Sequence, residues 1–302
     1  MKKISLGGSG PSFSQICYGV WRLTDDPKQA EVAAALKKIE TCLEMGITTF
    51  DHADIYGDYS CEALFGKALA EQPHLRDSMQ LVTKAGIKLI SANRPDHKIK
   101  SYDTGAEHLT SSLECSLKLL NVEQVDLFLI HRPDPFMDVD ATAGALNKLV
   151  KSGKTKFIGV SNFTPSQFEL LDSRMDQPLV TNQIELSCLN MNALNDGTLD
   201  QAMRLKRAPM AWSPLGGGRL FQKNDPLAAP VQKVLQEIGA KYDADIAQMA
   251  LAWLLNHPAR IIPIIGSNNI ERICSMAKST EIVLTREEWF EIWQAAAGHE
   301  VP

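Results

Sequence analysis

The 302-residue sequence lacks the marks of a metal site, a disulfide scaffold or a membrane span. Its six cysteines (Cys17, Cys42, Cys61, Cys115, Cys188, Cys274) are scattered, with no C-x-x-C pair and no histidine spaced to share a zinc ion. They read as reduced, mostly buried small hydrophobes, and no metal is expected. An excess of one charge is missing too. Thirty-one basic residues against thirty-six acidic ones leave a net charge of −5, which provides no basic footprint for nucleic acid or an anionic membrane surface. An anionic small ligand stays open, since one arginine or one helix N-terminus suffices for a phosphate. The most apolar stretch, 251–265, is interrupted by Asn256, His257, Pro258, Arg260 and Pro263 and falls short of the ~20 apolar residues a spanning helix needs. The opening MKKISLGGSG has no apolar core behind its lysines, so it is not read as a secretory signal, and a cytoplasmic location is expected. No Pro/Gly/Ser-rich linker or shift in composition divides the chain, and residues 1–302 are read as one domain.

What is present is a core of ordinary size, with 44% hydrophobic residues, arranged in a regular rhythm. Short β-rich runs alternate with longer helical patterns, the signature of repeated β-α units on a parallel sheet. The candidate strands are Ile16–Trp21, Thr48–Asp51, Gln80–Lys84, Val125–His131, Lys156–Ser161, Val180–Glu185, Met210–Ser213 and Arg260–Ile265. VDLFLIH is apolar almost throughout, so it must be covered on both faces. Three helices carry start signals: Thr164 with Gln167, Asp245 with Gln248 and Thr285 with Glu288 each form a capping-box pattern, the first with Pro165 at the opening position. The polar segment from Ile87 to Gly105 breaks the rhythm and reads as a long loop at one mouth of the sheet. Eight β-α units in one chain of this length point to a single (β/α)8 TIM barrel, although periodicity alone also admits a doubly wound open sheet. LGGSG near the N-terminus runs into Pro11 and Ser12 rather than a helix. It is therefore read as a tight turn in a short N-terminal β-hairpin that caps the barrel bottom, not as a dinucleotide fingerprint.

The chemistry-bearing residues fall at strand ends. Asp51, Lys84 and His131 each close a candidate strand, and Tyr56 follows Asp51 in the same loop. In a barrel all strand ends meet at one face, so these four residues can converge although they are far apart in sequence. Taken singly, a lysine at a strand end is a solvated edge and a histidine after an apolar strand is structural; their joint recurrence is what singles them out.

Read together, DHADIYG, LVTKAG, LIHRPDP, GVSNFTPSQF, TNQIELS, AWSPLGGGRLF and IPIIGSNNIERI resemble the aldo-keto reductase superfamily, in the family's order, from about Gly19 to Lys278. NDGTLDQ, GGGRLF and the run TREEWFEIW to GHEVP resemble the bacterial YdhF-type oxidoreductases in particular.

The resemblance implies a catalytic tetrad of Asp51, Tyr56, Lys84 and His131. Reduction of a carbonyl takes a hydride and a proton. A free tyrosine, with pKa ~10, is a slow acid near neutrality. Lys84 is expected to lower the Tyr56 value, and reaching ~8 would ask about 3 kcal/mol of the Lys84–Asp51 arrangement. A neutral His131 would orient the carbonyl oxygen.

The resemblance also implies NADPH/NADP+ as cofactor, with its nicotinamide held by Ser161, Asn162 and Gln183 and stacked on Trp212. The stretch Ser213, Leu215, Gly217 would pass beside the pyrophosphate. Gly19 and Trp21 would lie near the nicotinamide ribose and the substrate, Ile265, Gly266 and Ser267 would follow at the eighth strand, and Arg272 would contact the 2′-phosphate beside a helix N-terminus. The sequence departs from the family's commoner pattern around Arg272. Gly266 stands where a lysine is expected, and Ser275 and Met276 replace a Glu/Asn pair, so the preference for NADPH rests on Arg272. The expected partner is a small carbonyl compound, and the expected state is a monomer. Two other readings are weighed: a Schiff-base lyase using Lys84 as nucleophile, and an NADPH-binding redox sensor or regulatory subunit with little turnover.

Overall fold

In the computed structural model, which describes residues 1–8, 10–27 and 30–301, eight parallel strands close into a barrel. They are β1 (Cys17–Gly19), β2 (Thr49–Asp51), β3 (Gln80–Ala85), β4 (Val125–Ile130), β5 (Thr155–Ser161), β6 (Asn182–Glu185), β7 (Met210–Trp212) and β8 (Ile262–Ile265). Each pairs with its sequence neighbours, and β8 returns to β1 through Ile264 opposite Cys17 and Ile265 opposite Tyr18. The open-sheet alternative is thereby excluded. All eight expected strands are present, trimmed or extended at their ends by one or two residues.

The alternation of side chains along each strand builds two packing layers. Cys17, Val82, Leu127, Leu129, Met210, Ile262 and Ile264 cluster together inside the barrel. Tyr18, Phe50, Leu81, Phe128, Ile130, Ile158 and Val160 point outward into the layer of helices. Lys84 is two residues beyond Val82, so the pleat aims it inward at the C-terminal mouth.

The floor is closed by the N-terminal hairpin, in which Lys3–Ser5 pairs antiparallel with Ser12–Ser14. Leu6 and Phe13, both without exposed surface, pack into the interior cluster. The stretch LGGSG (6–10), in which the hairpin turn is expected, includes Ser9, which lies outside the described residues.

The three helix starts form as the sequence dictates. Thr164, Asp245 and Thr285 each accept from the backbone of the third helical residue, and Gln167, Gln248 and Glu288 reach back in turn. The segment after β3 is more ordered than a loop, since Ile87–Lys88 and Ser101–Tyr102 form a two-stranded ribbon at the barrel mouth. The six cysteines are free thiols, four of them buried, and among the described residues no cluster of potential ligands could hold a metal ion. Among the described residues no helix is long and apolar enough to cross a membrane.

Candidate active site

At the C-terminal mouth the hydrogen-bond ladder runs one or two residues past several strands, and this is what places the site residues. His52 and Asp54 donate backbone N–H groups to Val82 and Lys84 carbonyls, holding the segment that leads to Tyr56. The His131 amide bonds to Ala85 and the Asn162 amide to Gln183, each at 2.8 Å. Asn162 and Ser213 then leave their strands in the left-handed backbone region, at φ 61° and 49°. Such backbone costs of order 1–3 kcal/mol and persists only where the surroundings impose it.

Lys84, with no exposed surface, is the centre of the constellation. Its ammonium donates to Asp51 Oδ2 at 2.7 Å, to the His52 carbonyl at 2.7 Å and to Tyr56 Oη at 2.9 Å. Burial disfavours this charge, but Asp51 and Tyr56 outweigh burial and hold the Lys84 pKa above the ordinary lysine value. The amine is therefore protonated at neutrality and is no Schiff-base nucleophile. The other oxygen of Asp51, Oδ1, accepts from Gln183 Nε2 at 2.8 Å.

His131 stands edge-on to Tyr56, with ring centroids 5.9 Å apart. Burial, then the Lys84 and Arg132 cations, hold its imidazole well below the usual histidine range, so it is neutral, and its buried Nδ1 has no partner among the described residues. His52 is the structural counterpart. Burial keeps its imidazole at about 3, and it packs against Phe65 in the barrel wall.

Tyr56 departs from the expected acidity. Burial pushes its phenol up to about 12. Lys84 pulls it down without overcoming burial, and Asp51 adds to the rise. The lowering expected from the lysine is real as a contribution, but desolvation of the phenolate is larger.

These groups open onto a cavity of 1130 Å³. Gly19, Trp21, Asp51, Tyr56 and His131 line its inner part, while Lys84 sits behind its wall. Gly19 ends β1 as expected; Trp21 lies beyond the strand, 57% exposed, with its ring 6.3 Å from Tyr56. Ser161, Asn162, Gln183 and Trp212 form the next section. Ser161 Oγ donates to the Gln183 carbonyl, Asn162 Nδ2 donates to Ser161 Oγ at 2.7 Å, and Trp212 Nε1 donates to Asn162 Oδ1 at 2.9 Å, so the four are locked together.

Ser213, Leu215 and Gly217 continue the wall along a turn in which Gly216, Gly217 and Gly218 all have positive φ, a backbone that only glycine adopts readily. Ile265, Gly266, Ser267 and Arg272 line the far end. There Asn269 caps the helix Ile270–Ala277 by accepting from the Arg272 amide, and the Tyr18 hydroxyl fixes the Ser267 carbonyl at 3.1 Å.

All of the residues singled out in the sequence thus border or back one cavity. The cavity is also lined by residues that had not been singled out, among them Arg22, Lys100, Arg132 and Phe221. Arg132 had a signal, its place directly after His131. Lys100 had none, because the path of the ribbon decides where it points.

Comparison with known proteins agrees with this geometry. Residues 15–297 match the aldo/keto reductase family. The chain is 45% identical to a 6-dehydroglucose reductase from Agrobacterium fabrum and 45% identical to oxidoreductase YdhF from Escherichia coli, each over the full length of both proteins. It is also similar to the crystal structure of the thermostable aldo-keto reductase Tm1743 in complex with the inhibitor epalrestat, with a TM-score of 0.82 at 28% identity, over 98% of this chain and all of that one.

Proposed function

Because the chain belongs to the aldo/keto reductase family and is an oxidoreductase of that fold, we propose that it reduces the carbonyl of a small aldehyde or ketone at the expense of NADPH, with Tyr56 as the proton donor. One observation carries this reading: a fully buried Lys84 ammonium bridges Asp51 and the Tyr56 hydroxyl on the wall of a long cavity.

The family works with NAD(P)H, and the cavity fits a dinucleotide on its own evidence. The indole of Trp212 offers a flat apolar platform, the three positive-φ glycines leave their amides unshielded by any Cβ, and the Arg272 guanidinium at the far end has no hydrogen-bond or ion-pair partner among the described residues. Ser161, Asn162 and Gln183 would hold the carboxamide, Gly19, Ser213, Leu215 and Gly217 the ribose and pyrophosphate, and Ile265, Gly266, Ser267 and Arg272 the adenosine phosphate end, with Trp21 over the substrate. When bound, NADPH supplies the hydride.

The protein's part is positioning and proton transfer. His131, neutral, orients the carbonyl oxygen toward Tyr56 Oη. Tyr56 gives its proton to the oxygen as negative charge develops there, and Lys84 stabilises the phenolate left behind, in a site where removal from water strengthens the interaction. Asp51 keeps Lys84 charged, and Gln183 completes the hydrogen bonding of Asp51.

The test is NADPH consumption against a panel of aldehydes, ketones and dicarbonyls. An oxidised sugar belongs in it, given the name of the Agrobacterium relative. Turnover of at least one carbonyl class is expected, with Arg272→Ala weakening NADPH far more than NADH. Silence across the panel would contradict the reading.

A further inference from the structure

The charged groups on the cavity wall do not balance. Its two carboxylates are fully engaged: Asp51 accepts from Lys84 and Gln183, and Asp245 accepts from the Gln248 amide and the Ser275 hydroxyl. Arg22 donates to the Gly217 carbonyl and lies over Trp21. Arg132, Lys100 and Arg272 line the same wall, and among the described residues their side chains have neither a hydrogen-bond nor an ion-pair partner. In a chain of net charge −5, three unmatched cations in one cavity call for a ligand.

Arg272 stands at the end assigned above to the adenosine phosphate, leaving Arg132 and Lys100. Arg132 follows His131 directly, is half-buried, and holds its guanidinium 5.4 Å over the Trp212 ring. Its five donors thus border the cavity that Tyr56 and His131 also line, with no acceptor among the described residues. Lys100 lies directly before the second strand of the ribbon and lines the same cavity as Ile87, in its first strand, and Leu89, just past that strand.

The chemistry of this end is one-sided. Apart from Tyr56, His131 and Asp51, whose oxygens are taken by Lys84 and Gln183, its side chains are apolar (Trp21, Ile55, Ile87, Leu89) or cationic. A hydroxyl group donates as well as accepts, so a pocket shaped for a neutral sugar sets acceptors among its donors. A carboxylate or phosphate only accepts, and a planar guanidinium matches it with two parallel bonds. We propose that the carbonyl substrate of this protein carries an anionic oxygen group, bound by Arg132 with Lys100 beside it, while its carbonyl faces Tyr56 and His131. The proposal rests on the reductase reading.

The experiment uses matched pairs on the whole protein with NADPH: 4-oxobutanoate against butanal for the carboxylate, and glyceraldehyde 3-phosphate against glyceraldehyde for the phosphate. At least one anionic member should have a kcat/KM roughly tenfold or more above its neutral twin, the scale of one charge-assisted hydrogen-bonded contact. Arg132→Leu should bring that ratio close to one through KM, and Arg132→Lys should restore part of it. Equal kcat/KM within both pairs overturns the proposal, as does an Arg132→Leu variant in which both members fall together and the ratio survives. Should that variant not fold, the exposed Lys100→Ala serves, with a smaller drop in the same ratio.

A second arm needs no turnover. Quenching of tryptophan fluorescence in the NADPH-loaded protein should half-saturate at a roughly tenfold lower concentration of the preferred anion than of its neutral twin, and rising salt should erode the difference. Equal titrations overturn the proposal. A protein that oxidises NADPH with no carbonyl fails the reductase reading instead, and the titration still decides the anion.

Discussion

Lys84 makes three hydrogen bonds and exposes no surface, so its charge has to be matched inside the protein. Removing one partner of a buried pair leaves the other charged and unsolvated, at a cost of about 3–5 kcal/mol. Lys84→Met should accordingly lose both carbonyl reduction and several kcal/mol of stability. Adding Asp51→Asn should return part of the stability and none of the activity. Urea denaturation and NADPH consumption on the two variants check this, and a double variant no more stable than the single one would show that Asp51 is not the stranded charge. The four residues proposed as a tetrad were legible, Asp51, Lys84 and His131 as strand ends and Tyr56 in the loop after the second strand. The acidity of Tyr56 was not, because the lysine is visible in a sequence whereas the depth of burial that outweighs it belongs to the folded barrel.

The barrel strands and helix starts are written locally, in apolar runs and capping boxes, and the structure follows them closely. Their ends are set by the neighbouring strand: His131 lies just past β4, yet its amide still bonds to Ala85 on β3. The ribbon 87–102 escaped the sequence reading because strands of two residues carry no periodicity, and with it went the placement of Lys100. The Thr285 box shows what one cap contributes. Burial would raise the Glu288 carboxyl, but hydrogen bonds from Tyr242, the Thr285 backbone and Lys241 overcome burial and hold it at about 2. A carboxyl lowered by folding stabilises the protein above its unfolded value and loses that contribution as pH falls toward the folded one. Glu288→Gln should therefore flatten the loss of stability between about pH 4.5 and 2, and Thr285→Ala should cost about 1 kcal/mol at neutral pH. Thermal unfolding across pH checks both. An acid limb unchanged by Glu288→Gln would contradict the assignment.

Closure of the sheet is what makes a site from this chain. Asp51, Lys84, His131, Gln183, Trp212 and Arg272 span more than two hundred positions, and the return of β8 to β1 brings the residues proposed for the tetrad and for both ends of the cofactor to one mouth. The same closure explains the proposed division of labour along the cavity, with Tyr56, His131 and Asp51 at one end, a glycine turn in the middle, and at the other Arg272, which has no hydrogen-bond or ion-pair partner among the described residues. The claim on which the whole account depends is that Tyr56 gives the proton. Steady-state reduction of the best carbonyl by Tyr56→Phe, alongside NADPH-induced quenching of tryptophan fluorescence, measures it most directly. Turnover should fall by at least about a hundredfold, the scale of a general acid, while NADPH binding stays within a few-fold of the parent protein. Turnover retained near the parent rate with NADPH bound would contradict it.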